Sequence, residues 1–224
     1  MTSPRPGGSG VSAPTSARSC SRPSTVTTAD GVPGARLLVV SGPSGVGKST
    51  VVAALASRCE DVEIAVSATT RPPRPGEVDG VHYRFLDDRE FDELVAAGGF
   101  LEWAEYNGRR YGTPWSSVRE AFSGRKTTLV LEIEVQGARQ VRERFADAVL
   151  VFLAPPSRQE LEARVRGRGT EDEAAVARRL TIAERELAAA DLFDHQVVNA
   201  QLDQCVEEIG RIVGCHCGPY RNSF

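Results

Sequence analysis

The chain has 224 residues, 41% of them hydrophobic and 25% charged, with a formal net charge of −3. This is ordinary globular composition, long enough to bury a core and of a length for one domain with mobile subdomains. No apolar run approaches the roughly 18 residues that cross a bilayer, and the near-neutral balance argues against broad nucleic-acid binding, so neither a membrane nor a nucleic-acid partner is expected.

The opening segment, read as a disordered tail over residues 1–33, is mostly Ser, Thr, Pro and Gly with almost no large apolar side chains. It cannot bury enough surface to offset the entropy of ordering it. It has no apolar h-region of a secretory signal. Ser-rich, Arg-bearing and free of acids before Asp30, it leaves an organellar transit peptide open beside the cytoplasmic location expected. The cysteines (Cys20, Cys59, Cys205, Cys215, Cys217) are odd in number and scattered, so no disulfide framework is expected and a reducing compartment fits.

"ARLLVV" (35–40) reads as a buried strand and "KSTVVAALASRC" (48–59) as a helix. Between them "GPSGVGKS" (42–49) fits the phosphate-loop pattern, in which backbone N–H groups cradle phosphates. Gly42, Pro43, Ser44, Gly45, Val46, Gly47, Lys48 and Ser49 are the candidate ATP-binding residues. Lys48 would reach the β- and γ-phosphates and the Ser49 hydroxyl would ligate Mg²⁺. Among 27 basic residues only Lys48 and Lys126 are lysines, so a compact ammonium at 48 stands out from an arginine-rich background.

After a second strand, "VEIAVS" (62–67), residues 67–118 break the rhythm. The pieces "VHYRF", "FLEWAEY" and "RRYGT" alternate like antiparallel strands, with the helix "DREFDELVAAG" between the first two. This reads as an inserted subdomain. At its start Arg71 and Arg74, stiffened by Pro72, Pro73 and Pro75, suit bidentate binding of a phosphate, with Tyr83 and Tyr111 as hydroxyl donors. Arg84, next to Tyr83 on a strand, should point to the opposite face and be solvated.

"TLVLEIE" (128–134), "AVLVFLA" (148–154) and "HQVVN" (195–199) complete a set of short buried strands separated by helix-length segments. That order predicts an α/β fold, a mostly parallel sheet covered by helices. Residues 157–176 read as an Arg-rich helical segment, and 34–66, 119–156 and 177–224 as the core. "CHC" (215–217) lacks the paired spacing of a zinc site.

Taken together, "SGPSGVGKST", "SATTRPPRPGEVDGVHYRF", "FLEWAEYNGRRYGT", "LEIEVQGA", "APPSRQELEARVRGRGTE" and "VVNA" resemble the guanylate kinase family, in its order and spacing, from about residue 36 to about 212. The resemblance implies a P-loop core in three layers, a GMP-binding insertion and an ATP lid. It implies transfer of the γ-phosphoryl of ATP to GMP with Mg²⁺, giving ADP and GDP. On that basis Arg71, Arg74, Tyr83 and Tyr111 hold the GMP phosphate, and Ser67, Glu102 and Thr113 read the base. Guanine offers N1–H and N2–H₂ side by side, so one carboxylate can accept both, which adenine cannot match. Arg164, Arg168 and Arg179 match arginines that close over the ATP phosphates, and Asn199 a residue near the adenine. Glu132 and Glu134 fall among the GMP-side positions. Glu134 stands where Asp is more typical, Arg110 where an aromatic is common, and Ala200 where Asp is common. The rival readings are a related kinase of another phosphorylated acceptor and a kinase-like phosphopeptide-binding module. The oligomeric state has no sequence signal.

Overall fold

A computed structural model describes residues 36–122, 127–167, 173–215 and 218. In chain order the elements are β1 (Arg36–Ser41), α1 (Lys48–Arg58), β2 (Val62–Ile64), β3 (Ala68–Thr69), β4 (Arg84–Phe85), α2 (Asp88–Ala96), β5 (Phe100–Tyr106) and β6 (Arg109–Pro114). They continue with α3 (Trp115–Phe122), β7 (Thr128–Glu132), α4 (Val135–Arg144), β8 (Val149–Ala154), α5 (Arg158–Arg166), α6 (Glu173–Leu187), a 3₁₀ turn (Ala190–Leu192), β9 (His195–Val198) and α7 (Leu202–Val213).

Successive side chains of β1 enter opposite layers, Leu38 and Val40 into one apolar cluster and Leu37 and Val39 into another. A strand buried on both faces needs helices on both, and the sheet is accordingly parallel, in the order β2-β7-β1-β8-β9. Val51, Leu55, Val206 and Ile209 of α1 and α7 cover one face, and Val118, Ala138 and Val141 of α3 and α4 the other. This is the predicted three-layer α/β architecture. β1 runs in the middle, so its carboxyl end opens between β7 and β8, the crevice where open α/β sheets bind ligands.

A second sheet, β4-β3-β6-β5, grows from the insertion. It is mixed: β6 pairs antiparallel with β3 and β5, but β3 and β4 are parallel, unlike the all-antiparallel expectation. "VEIAVS" is not one strand, because the chain leaves the core sheet after Ile64 and enters the second sheet at Ala68. "VHYRF" keeps only its last two residues as strand. Val78 and Val81 are exposed and gain nothing from pairing, while His82 Nδ1 accepts the Val78 N–H and closes a turn. α2 starts at a capping box, with Asp87 and Glu90 each accepting the other's backbone N–H, and buries Phe91 against Phe100 with ring centroids 4.5 Å apart.

Cys205 and Cys215 carry free thiols, but Cys59, buried at the end of α1, is disulfide-bonded, which departs from the expectation of reduced cysteines. The C-terminal segment reaches this point: the Gly218 N–H donates to the Arg58 carbonyl and Arg58 Nε to the Gly218 carbonyl. The tail, Arg168 and the His216–Cys217 pair lie outside the described residues. No described helix is long and apolar enough to cross a membrane.

Candidate active site

The phosphate loop bends where glycine is required. Gly42 has φ +146°, and a Cβ there would lie 2.4 Å from the Leu153 carbonyl of β8. Gly47 (φ +99°) caps α1, and a Cβ on it would meet Asn199 Nδ2 at 2.8 Å. Asn199 Nδ2 donates to the Val46 carbonyl at 2.8 Å. The end of β9 thus braces the loop from behind. Lys48 is buried, its Nζ donating to the Gly42 carbonyl (2.6 Å) and lying 3.6 Å from Glu134 Oε2.

Pairing of β1 with β7 sets Glu132 opposite Val40 and so beside the loop. The Ser49 hydroxyl donates to Glu132 Oε1 at 2.7 Å. A hydroxyl and a carboxylate are hard oxygen donors of the kind Mg²⁺ takes together with phosphate and water oxygens. Among the described residues there is no cluster of three or more His, Cys, Asp or Glu that could hold a metal by itself.

Across from the loop, the second sheet supplies the other wall of a cleft of about 120 Å³. Lys48, Glu132 and Glu134 line it from the core, and Ser67, Arg71, Arg74, Tyr83, Glu102 and Tyr111 from the insertion. Arg71 is already oriented: its two terminal nitrogens donate to the two Glu77 oxygens at 2.9 and 2.8 Å, and its guanidinium stands 5.4 Å from the Tyr83 ring centre. Tyr83 and Tyr111 meet edge to face. Burial and nearby carboxylates push the Tyr83 phenol up, so it remains a hydroxyl donor.

Glu102 is 2% exposed, and its Oε1 accepts from the Thr113 hydroxyl at 2.7 Å. Burial pushes its carboxyl up to about 7, against the opposing effect of Thr113. The charge therefore sits in this cleft at a cost that a doubly donating ligand would offset.

A profile of the guanylate kinase family matches residues 34–215. The chain is 56% identical to a guanylate kinase of Streptomyces kasugaensis over 174 residues (78% of this chain, 84% of that protein). It is 55% identical to one of Thermobifida fusca over 174 residues (78% and 88%). The crystal structure of guanylate kinase from Anaplasma phagocytophilum superposes with TM-score 0.64 at 30% identity, over 80% of this chain and 85% of that one. The chain belongs to the guanylate kinase family.

Two of the arginines expected over the ATP phosphates touch the phosphate loop. Arg164 turns to the back of the loop, donating to the Val46 and Asn199 carbonyls (both 3.2 Å), and does not line the cleft. Arg179 is buried, and its Nη2 donates to the Ser44 hydroxyl at 2.9 Å. Arg84 points away from the cleft, as expected, and its partly exposed guanidinium pairs with Glu120 of α3. Of the departures from the family pattern, Arg110 has a local reason. It lies 4.7 Å over the Phe91 ring and bonds Asp88 and Asp92, tying β6 to α2. Nothing in the structure explains Ala200.

Three further residues at the site carried no sequence reading. Glu77 orients Arg71; an acid six residues from an arginine within a proline-glycine turn was the available signal. Glu186 of α6, buried, accepts the Ser44 N–H at 3.2 Å, and burial beside Glu134 holds its carboxyl above the ordinary range. Tyr106 lines the cleft on β5. Neither Glu186 nor Tyr106 has a motif; only the fold brings them here.

Proposed function

We propose that the chain transfers the γ-phosphoryl group of ATP to GMP, with ATP on the phosphate loop and GMP on the insertion. The observation that carries this reading is the facing of two sets of residues across one cleft: Lys48 of the phosphate loop on one wall, and a buried Glu102 with Arg71 and Arg74 on the other.

Arg71 and Arg74 offer permanent charge to the GMP phosphate, and Tyr83 and Tyr111 offer neutral donors. Glu102 accepts guanine N1–H and N2–H₂, with Ser67 and Thr113 beside it. On the donor side Lys48 exchanges its bond to the Gly42 carbonyl for phosphate oxygens, and Arg179 stands at the tip of the loop. A GMP phosphate oxygen forms the new bond to the γ-phosphorus as the bond to the β–γ bridging oxygen breaks, and ADP departs. Such a transfer relies on positioning and electrostatics more than on covalent participation of the protein. Mg²⁺ bound with ATP would neutralise phosphate charge, held on the protein side by Ser49 and Glu132. Arg164 and Arg168 would complete the lid, and closure of lid and insertion would exclude water.

The test is a coupled ADP-release assay of the purified chain with a panel of acceptors. Turnover with GMP far above AMP is expected. Equal rates with both would overturn the base reading, and no turnover with any acceptor would overturn the kinase reading in favour of a binding module.

A further inference from the structure

Gly137 lies in the first turn of α4, where glycine costs a helix about 0.5–1 kcal/mol relative to alanine. Its backbone needs no special conformation, so the reason for the missing side chain lies outside the helix. A Cβ at this position would stand 2.3 Å from Glu102 Oε2 and 3.1 Å from Glu102 Cδ, far inside contact distance.

The helix is the partner that cannot yield. α4 is tied to β5 on both sides of Glu102: Arg144 donates to the Leu101 carbonyl, and the Gln140 side chain accepts the Trp103 N–H (3.3 Å) and donates to the Trp103 carbonyl (2.6 Å). The helix therefore cannot back away locally. The Glu102 carboxylate is held by Thr113 at its other oxygen and is 2% exposed. Its open direction is the cleft, the space the acceptor base is to fill.

We propose that Gly137 is a specificity-positioning residue: its missing side chain is the recess in which the Glu102 carboxylate is seated, so that α4 of the core sets the guanine-reading group of the insertion. This rests on the reading of Glu102 given above. A side chain at 137 drives the carboxylate into the acceptor's place and leaves the phosphate loop untouched.

Four variants test it in the coupled assay with GMP and ATP varied separately: Gly137→Ala, Glu102→Asp, the two combined, and Glu102→Gln. Gly137→Ala is expected to lower kcat/KM for GMP by about 10- to 100-fold with KM for ATP unchanged, as misplacement of a positioning group by about 1 Å does. Shortening Glu102 to Asp withdraws the carboxylate from the new methyl group, so in the double variant the second change should add little to the first. A full multiplicative loss in the double variant overturns the inference, as does a wild-type-like Gly137→Ala beside a strongly impaired Glu102→Gln. Unimpaired GMP turnover in Glu102→Gln overturns the guanine reading itself and the inference with it. Should Gly137→Ala fail to fold, Glu102→Asp is compared with the double variant: equal GMP kinetics support the recess, and a further large loss overturns it.

Discussion

Replacing Glu102 with glutamine keeps the length and shape of the side chain and removes its charge. Burial holds this carboxyl at about 7 in place of the ordinary 4.5, a difference equivalent to about 3 kcal/mol. The folded pKa lies above the unfolded one, so the folded state binds the proton more tightly. The stability this confers is fully present below about pH 4.5 and is lost as pH rises through about 7. Above pH 7 the wild-type chain thus carries a buried charge that the glutamine variant lacks. The variant should melt higher at pH 8, by up to about 5–10 °C for a chain of this size, with the difference shrinking toward pH 4.5. Activity should move the other way. A neutral amide cannot accept two donors at one edge as a carboxylate does, and kcat/KM for GMP should fall about 100-fold or more while KM for ATP holds. GMP binding by calorimetry supplies the pH test. Wild-type affinity should drop about tenfold between pH 8 and pH 6 as Glu102 takes up a proton, beyond the phosphate titration that both proteins share. A glutamine variant that melts no higher at pH 8, or a wild-type to variant affinity ratio that does not change with pH, would refute the reasoning.

Glu77→Gln should release Arg71 from its bidentate partner and raise KM for GMP about 3- to 10-fold, with ATP kinetics unaffected; steady-state kinetics decide it. Gly42→Ala meets the Leu153 carbonyl at a backbone angle that L-residues avoid, so denaturant unfolding should show a loss of more than about 2 kcal/mol together with weakened ATP binding. Ser49→Ala removes the hydroxyl bonded to Glu132 and should raise the Mg²⁺ concentration needed for half-maximal turnover, leaving GMP binding measured without ATP intact. Arg110→Ala loses a cation–π contact and two exposed-side ion pairs, a destabilisation of about 1 kcal/mol in thermal melts, with little change in kcat.

The core was legible in the sequence because its signals are local. A continuous apolar run along "RLLVV" and a glycine-rich loop between strand and helix each depend on residues close to one another in the chain. The forks at Arg71 and Arg74 were visible for the same reason. What tertiary structure decided are contacts between distant segments. β3 pairs with β4 in parallel across the connection of residues 70–83, and no pattern within "VEIAVS" marks the exit from the core sheet after Ile64. Arg164 faces the back of the loop and Glu186 the Ser44 amide because α5 and α6 approach residues more than 100 positions away in the chain. Gly137 and Glu102 are 35 residues apart by number and belong to a helix of one sheet's cover and a strand of the other sheet. A residue's own neighbours dictate its secondary structure, but the space its side chain is allowed is set by whatever packs across from it, and that becomes readable only once the two sheets have met.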